Sequence, residues 1–389
     1  MRRAATGIAL LLALAGAGAV SATTFKLVLI ARDGDPRFER SQLERAYLGH
    51  PGGPAVDGLA VALNESRLQL EAAGAQWALT TIQAASAEAA RAAAQQAEKA
   101  GAAVVLTDLP PPATLAVADA VKLPVLNVAE AADALRQADC RRNLWHLLPS
   151  ERMRADALAQ TLAAQRWTQV LLLAGPSADD APRVAAAAAA IKRYGLKLVD
   201  TRAFKLSADP RERDLANPLL LTGRASYDAV WVVDSAGEFA RALPYRTALP
   251  RPVVGDGGLA ALAWHAQFER FGAPQVSRRF AKAHQRPMTA HDWASWLAGR
   301  ALVAAAVAAP NGPLPALHKA LAEADLDGSK GVNLSFRPWD GQLRQPLLLS
   351  DGQGVVGVAP ADGVLHPKNV LDTLGADAAE KLCKARAGA

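Results

Sequence analysis

Seven histidines, two cysteines and a scatter of carboxylates are the reactive side chains of this sequence. Their spacing assembles no familiar catalytic set. His284 and His291, the closest histidine pair, lack the paired ligand spacing of a zinc site. There is no G-x-S-x-G nucleophile elbow, no G-x-x-x-x-G-K-[ST] phosphate loop, and no G-x-G-x-x-G after the first strand. No nucleophile–base pair has the context that an enzyme needs, and no cofactor is implied. What remains is the chemistry of binding. Polar residues follow several apolar runs: Arg32 and Asp33, Asp108 with Thr114, and Asn127 to Glu130 in the first half. In the second half they are Ser177 within 175–179, Asp234 and Glu238, and Asp256 within 255–258. Trp264 and His265 lie just beyond, where an aromatic could line a cleft or fill a core. In an open parallel sheet, ligands bind outside the carboxyl ends of the strands, so these loops are the candidate contacts.

Such loops need strands and helices in alternation to hold them, and the sequence supplies both. Residues 25–30, 77–82, 102–106, 124–128 and 143–147 are short apolar runs suited to buried strands. Helical spacing fills 54–74, 85–100 and 113–121 between them. The same pattern resumes with strands at 169–173, 196–204, 227–233 and 252–254 and helices at 155–165 and 182–194. A further helix is expected near 211–223, breaking at Pro218. Helices follow at 276–285, 289–308 (long and amphipathic) and 314–324, then a hairpin set rich in glycine turns. The reading is α/β, with two parallel sheets each covered by helices. The passage from Cys140 to Ser177 joins the halves as a hinge with a cleft beside it, and Ser150 is placed to cap the helix that begins there.

The chain has 389 residues, 51% hydrophobic and 21% charged, which is a globular composition long enough for two lobes. Its formal charge is +6, of which Arg2 and Arg3 supply two, and basic and acidic residues interleave as in R-D-G-D-P-R-F-E-R. That is a solvated surface rather than a nucleic-acid patch. The start, M-R-R followed by an apolar stretch and V-S-A, reads as a secretory leader over 1–22, cleaved after Ala22. The mature protein is then exported to the periplasm. In that oxidising compartment, two cysteines predict one disulfide, Cys140 to Cys383.

Together these features resemble the type I periplasmic solute-binding proteins of ATP-driven importers of the branched-chain amino acid class. The segments D-P-R-F-E-R, A-D-C-R-R-N-L-W-H-L-L-P-S, L-P-Y-R-T-A-L-P-R-P-V-V-G, F-R-P-W-D-G-Q-L-R-Q-P and L-D-T-L-G narrow the likeness. They resemble the solute-binding protein of the pyrroloquinoline quinone-dependent alcohol dehydrogenase system. The resemblance implies a monomeric Venus-flytrap with several hinge crossings, a small-molecule solute, and a partner permease with its ATPase. It also implies lobe boundaries: 23–148 with about 270–325, then 149–269 with about 326–358, and a tail over 359–389. An accessory or sensor role in the dehydrogenase system, without transport, is the alternative.

One departure bears on the solute. Where amino-acid binders carry serines and threonines, this chain has T-D-L-P-P-P and V-A-E. Asp108 and Glu130 would repel a ligand carboxylate. A neutral alcohol-derived compound, a cation or a cofactor-related molecule fits better than an α-amino acid.

Overall fold

The computed structural model describes residues 22–44, 47–363 and 365–386. The expected leader lies, but for Ala22, outside the described residues. Among those described, no helix is long and apolar enough to cross a membrane.

Five parallel strands form the first sheet: β1 (Thr23–Arg32), β2 (Ala75–Ala84), β3 (Ala102–Asp108), β4 (Val125–Asn127) and β5 (Leu144–His146), in the order β2-β1-β3-β4-β5. Alternation along β1 sends Leu27 and Leu29 to one apolar cluster and Val28 and Ile30 to another. Both faces are therefore covered, and β3 is buried along its whole length. The second sheet has four parallel strands: β6 (Gln169–Ala174), β7 (Lys197–Ala203), β8 (Ala229–Val233) and β9 (Val253–Gly255), in the order β7-β6-β8-β9. Each order reverses once, between β1 and β3 and between β6 and β8. A crevice opens at such a switch point because neighbouring crossovers leave to opposite faces.

The lobes are joined more than once. The first core runs to Leu148, and the helix Glu151–Ala164 opens the second, with Ser150 Oγ accepting the Met153 N–H at 3.2 Å. After β9 the chain continues into β10 (Ala260–Leu262). Ala261 still packs in the second core and Ala263 already in the first. A two-stranded ladder, β11 (Leu326–Asp327) with β12 (Asn333–Leu334), precedes the third crossing. The expected boundary near 326 falls inside the first core, where Leu326, Leu334, Phe336 and Leu343 are buried together. The seam is β13 (Leu347–Ser350), which pairs with β10 and with β14 (Val355–Ala359). Its Leu348 faces the first core, while Leu347 and Leu349 face the second. Side-chain amides tie the crossings together: Gln342 Nε2 donates to Leu148 O at 3.0 Å and Gln345 Nε2 to Leu147 O at 2.7 Å.

Three elements differ from expectation for local reasons. Residues 54–74 form two helices, Ala55–Glu65 and Arg67–Ala72, because Ser66 leaves helical geometry and accepts a hydrogen bond from Arg300. Pro218 starts the helix Pro218–Thr222 instead of breaking one, since a proline fits the first helical position and Asn217 caps it. The helix Ala290–Ala308 is buried around most of its circumference, not on one stripe, being enclosed by neighbours that include the helix Ala55–Glu65. Gly58 permits that approach; a Cβ there would lie 2.2 Å from the Asp292 carbonyl.

The tail is docked. Buried Arg337 donates to the carbonyls of Leu371 and Leu374 at 2.9 and 2.7 Å and to Asp372 at 2.9 Å. Cys140 and Cys383 are bonded, with Cα atoms 5.6 Å apart. Changing both cysteines to serine is expected to keep the fold and lower the unfolding free energy by about 2–4 kcal/mol, through the entropy returned to the unfolded chain. Urea denaturation measures this, and midpoints equal to wild type would count against it.

Candidate functional site

The β1/β3 switch point is held by a buried ion cluster. Asp108, at the end of β3, is 1% exposed. Its Oδ1 lies 2.5 Å from Arg37 Nη2 and 3.2 Å from His291 Nε2, and its Oδ2 accepts the Ala55 N–H at 3.4 Å. Arg37 also grips Asp35 through Nε and Nη2 at 3.0 and 2.6 Å. Burial alone would raise the Asp108 carboxyl, but His291 and Arg37 outweigh it and hold the group well below the usual carboxylate range. Beside the cluster is a cavity of about 430 Å³, bordered by Arg32, Asp33, Asp35, Glu39, Gln83 and Asp108.

Asn127 and Glu130 share one turn. Asn127 Oδ1 accepts the N–H groups of Ala129 and Glu130 at 3.2 and 2.9 Å, and its Nδ2 donates to Glu130 O at 2.8 Å. The Glu130 carboxylate accepts the Ala132 N–H at 2.9 Å, and burial raises its pKa. Thr114 is fully buried, its hydroxyl donating to Leu109 O at 3.0 Å, so it supports the turn.

At the β6/β8 switch point, Asp256 joins two elements. Its Oδ2 accepts the Asp234 N–H at 2.7 Å and its Oδ1 meets Arg183 Nη2 at 2.5 Å. Arg183 further contacts Glu151 at 3.4 Å, and Glu151 contacts Arg154 at 3.2 Å. The Asp234 carboxylate accepts the Ala240 N–H at 2.9 Å. Ser177 Oγ accepts the Asp179 N–H at 3.3 Å, capping its own loop. Glu238 is exposed. Trp264 belongs to the first core, 1% exposed and stacked on Trp293 with centroids 6.1 Å apart, away from the cavity.

Spacing thus brings Arg32, Asp33 and Asp108 to one cavity and Asp234 with Asp256 to one hydrogen bond. It does not bring Thr114 or Trp264 to any opening. Arg37 and Arg183 escaped sequence reading, and His291 enters it only as one of a histidine pair. The available signal was the length of the segment between β1 and Ala55, long for such a turn. The Asp108 carboxylate that faces this cavity is paired with the Arg37 guanidinium. The remaining chemistry is that of paired ions and oriented amides. Among the described residues, no group of histidines, cysteines and carboxylates could hold a metal ion.

Comparison with known proteins agrees with this architecture. No protein-family model matches the sequence, and neither does any curated protein. Among solved structures, an ABC transporter substrate-binding protein from Sphaerobacter thermophilus superposes with a TM-score of 0.69 at 18% identity, covering 87% of this chain and 98% of that one. The leucine-, isoleucine-, valine-, threonine- and alanine-binding protein from Brucella ovis, in its closed conformation, gives 0.68 at 12% identity, covering 91% and 94%. A solute-binding protein of an ABC transporter from R. palustris, in complex with benzoate, gives 0.62 at 15% identity, covering 87% and 96%. The fold is that of the two-lobed type I periplasmic binding proteins.

Proposed function

We propose that the protein is the solute-receiving component of an ATP-driven importer, closing its lobes on a small molecule and handing it to a membrane permease and its ATPase. The observation that carries this reading is the contact between the lobes outside their strand ends, where Tyr47 of the loop after β1 lies against Gly237 of the loop after β8. In this reading the loops after β1, β3, β6 and β8 line the cleft between lobes joined by three crossings. The solved structures of like fold include substrate-binding proteins of such transporters, one holding benzoate. Closure requires only a solute that binds the closed state better than the open one.

The protein acts in the periplasm, after export, as a non-enzymatic monomer. Its contacts to solute come from Arg32, Asp33, Asp108 and Glu130 on one lobe and from Ser177, Asp234 and Asp256 on the other. Because the Asp108, Glu130, Asp234 and Asp256 carboxylates are paired or hydrogen-bonded, a neutral hydroxyl-bearing solute suits the cleft. The resemblance of the D-P-R-F-E-R and F-R-P-W-D-G-Q segments to the solute-binding protein of the pyrroloquinoline quinone-dependent alcohol dehydrogenase system would make that solute one of alcohol oxidation.

Small-angle scattering across a panel of alcohols, aldehydes, acids and quinones tests this. One class is expected to compact the protein, with no turnover. A profile unchanged by every compound, together with recovery of a dehydrogenase but no permease in pull-downs, would replace transport by an accessory role.

A further inference from the structure

The loop after β1 reaches across the cleft. Tyr47 lays its ring on Gly237, at the start of the helix Glu238–Ala242 in the second lobe. A Cβ built on Gly237 would fall 2.4 Å from Tyr47 Cδ1 and 2.7 Å from Cγ, so only a glycine leaves room for the ring. Gly237 also holds φ at +70°, a conformation that side-chain-bearing residues rarely adopt. Around the phenol stand Asp256, Arg183, Arg154 and Glu151, all close enough to act on it electrostatically. They are the same four residues that form the ion cluster of the β6/β8 switch point. On its own side the ring meets His50 edge-on, with centroids 5.5 Å apart, and the His50 N–H donates to Tyr47 O at 3.0 Å. Gly49 abuts Leu262 of β10, which fixes the loop at the crossing as well. One side chain of the first lobe therefore fills an aromatic-sized seat in the second, floored by a glycine and walled by paired ions.

We propose that Tyr47 is a resident occupant of the solute seat over Gly237, and that the solute which takes its place is a phenol or aromatic alcohol of similar width. The solute class rests on the receptor reading above; the seat and its occupant rest on the Tyr47–Gly237 contact alone. Floor and walls select the solute: a planar ring fits over a residue without a side chain, and a hydroxyl can join the paired charges without leaving any of them uncompensated. A free ring must displace the tethered one, so its apparent affinity falls by the fraction of molecules whose seat is vacant.

The probe is p-cresol, which is the tyrosine side chain cut from its backbone. Calorimetric titration of Tyr47→Ala is expected to give about tenfold tighter p-cresol binding than wild type. Scattering should show this variant more open than wild type and compacted again by p-cresol. Gly237→Ala placed on Tyr47→Ala should abolish the binding. Where that backbone does not fold, Tyr47→Trp, which refills the seat, should bind no p-cresol. Equal p-cresol affinity in wild type and a folded Tyr47→Ala, with equal scattering, would overturn the proposal. A panel solute that compacts wild type and Tyr47→Ala with the same affinity would also remove Tyr47 from the seat while leaving the receptor reading intact.

Discussion

Arg37→Met is expected to lower the unfolding free energy by about 3 kcal/mol, and adding Asp108→Asn should restore most of that loss. Asp108 is almost completely buried, and among its polar neighbours Arg37 is the permanently charged one. Removing one partner of a buried pair leaves an uncompensated charge, which typically costs about 3–5 kcal/mol, whereas replacing both by neutral groups is nearly balanced. The lower figure applies because the Arg37 side chain is 29% exposed and His291 stays within 3.2 Å of the carboxylate. A urea double-mutant cycle reads the coupling. Purely additive costs would mean that Arg37 stabilises the loop through Asp35 and not through Asp108.

Deleting the His146 imidazole should flatten the dependence of stability on pH below about 6.5. His146 is fully buried, and burial lowers its pKa far below the ordinary value, with Arg136 and Arg386 adding to the effect. Its Nδ1 lies 3.0 Å from Asn127 Nδ2. The depressed pKa belongs to the folded state, so below about pH 6.5 the unfolded chain takes up a proton that the folded chain refuses. The His146 contribution to stability then falls as pH falls, with a limiting slope of about 1.4 kcal/mol per pH unit, while buried Asp156, raised to about 6, acts in the opposite direction and is common to both proteins compared below. His50, His265 and His318 are also lowered by burial and act in the same direction as His146, being more exposed. The decisive comparison is therefore the slope of wild type against that of His146→Leu. Coincident slopes would show that His146 titrates normally in the folded protein.

The strands of both sheets were legible because a buried parallel strand must be a short apolar run, and residues 25–30, 102–106 and 169–173 are such runs. Ser150 declared its helix through a capping rule that operates over three residues, and the two cysteines left only one pairing. The helix Ala290–Ala308 was located well, but its enclosure on several sides was not, since that depends on Gly58 far away in sequence. The site was harder for the same reason. Arg37 and Asp108 are 71 positions apart, and Arg183 and Asp256 are 73 apart. Spacing within one element carries no trace of such pairings. Nor could it show that Tyr47, in a polar stretch, faces a glycine of the other lobe.

The bond between Cys140 and Cys383, 243 positions apart, makes the polypeptide a closed covalent ring with a branch. The ring contains the whole second sheet, all three passages between the lobes and the long helix Ala290–Ala308, while the strands β1 to β4 hang from it as the branch. A single peptide cleavage anywhere between the two cysteines therefore opens a circle rather than cutting a molecule in two. Both ends of the break stay attached, and the lobes remain parts of one particle until the sulfurs are reduced. For a protein expected to work outside the reducing cytoplasm, the Cys140–Cys383 bond converts a local backbone break from loss of a lobe into a change of connectivity.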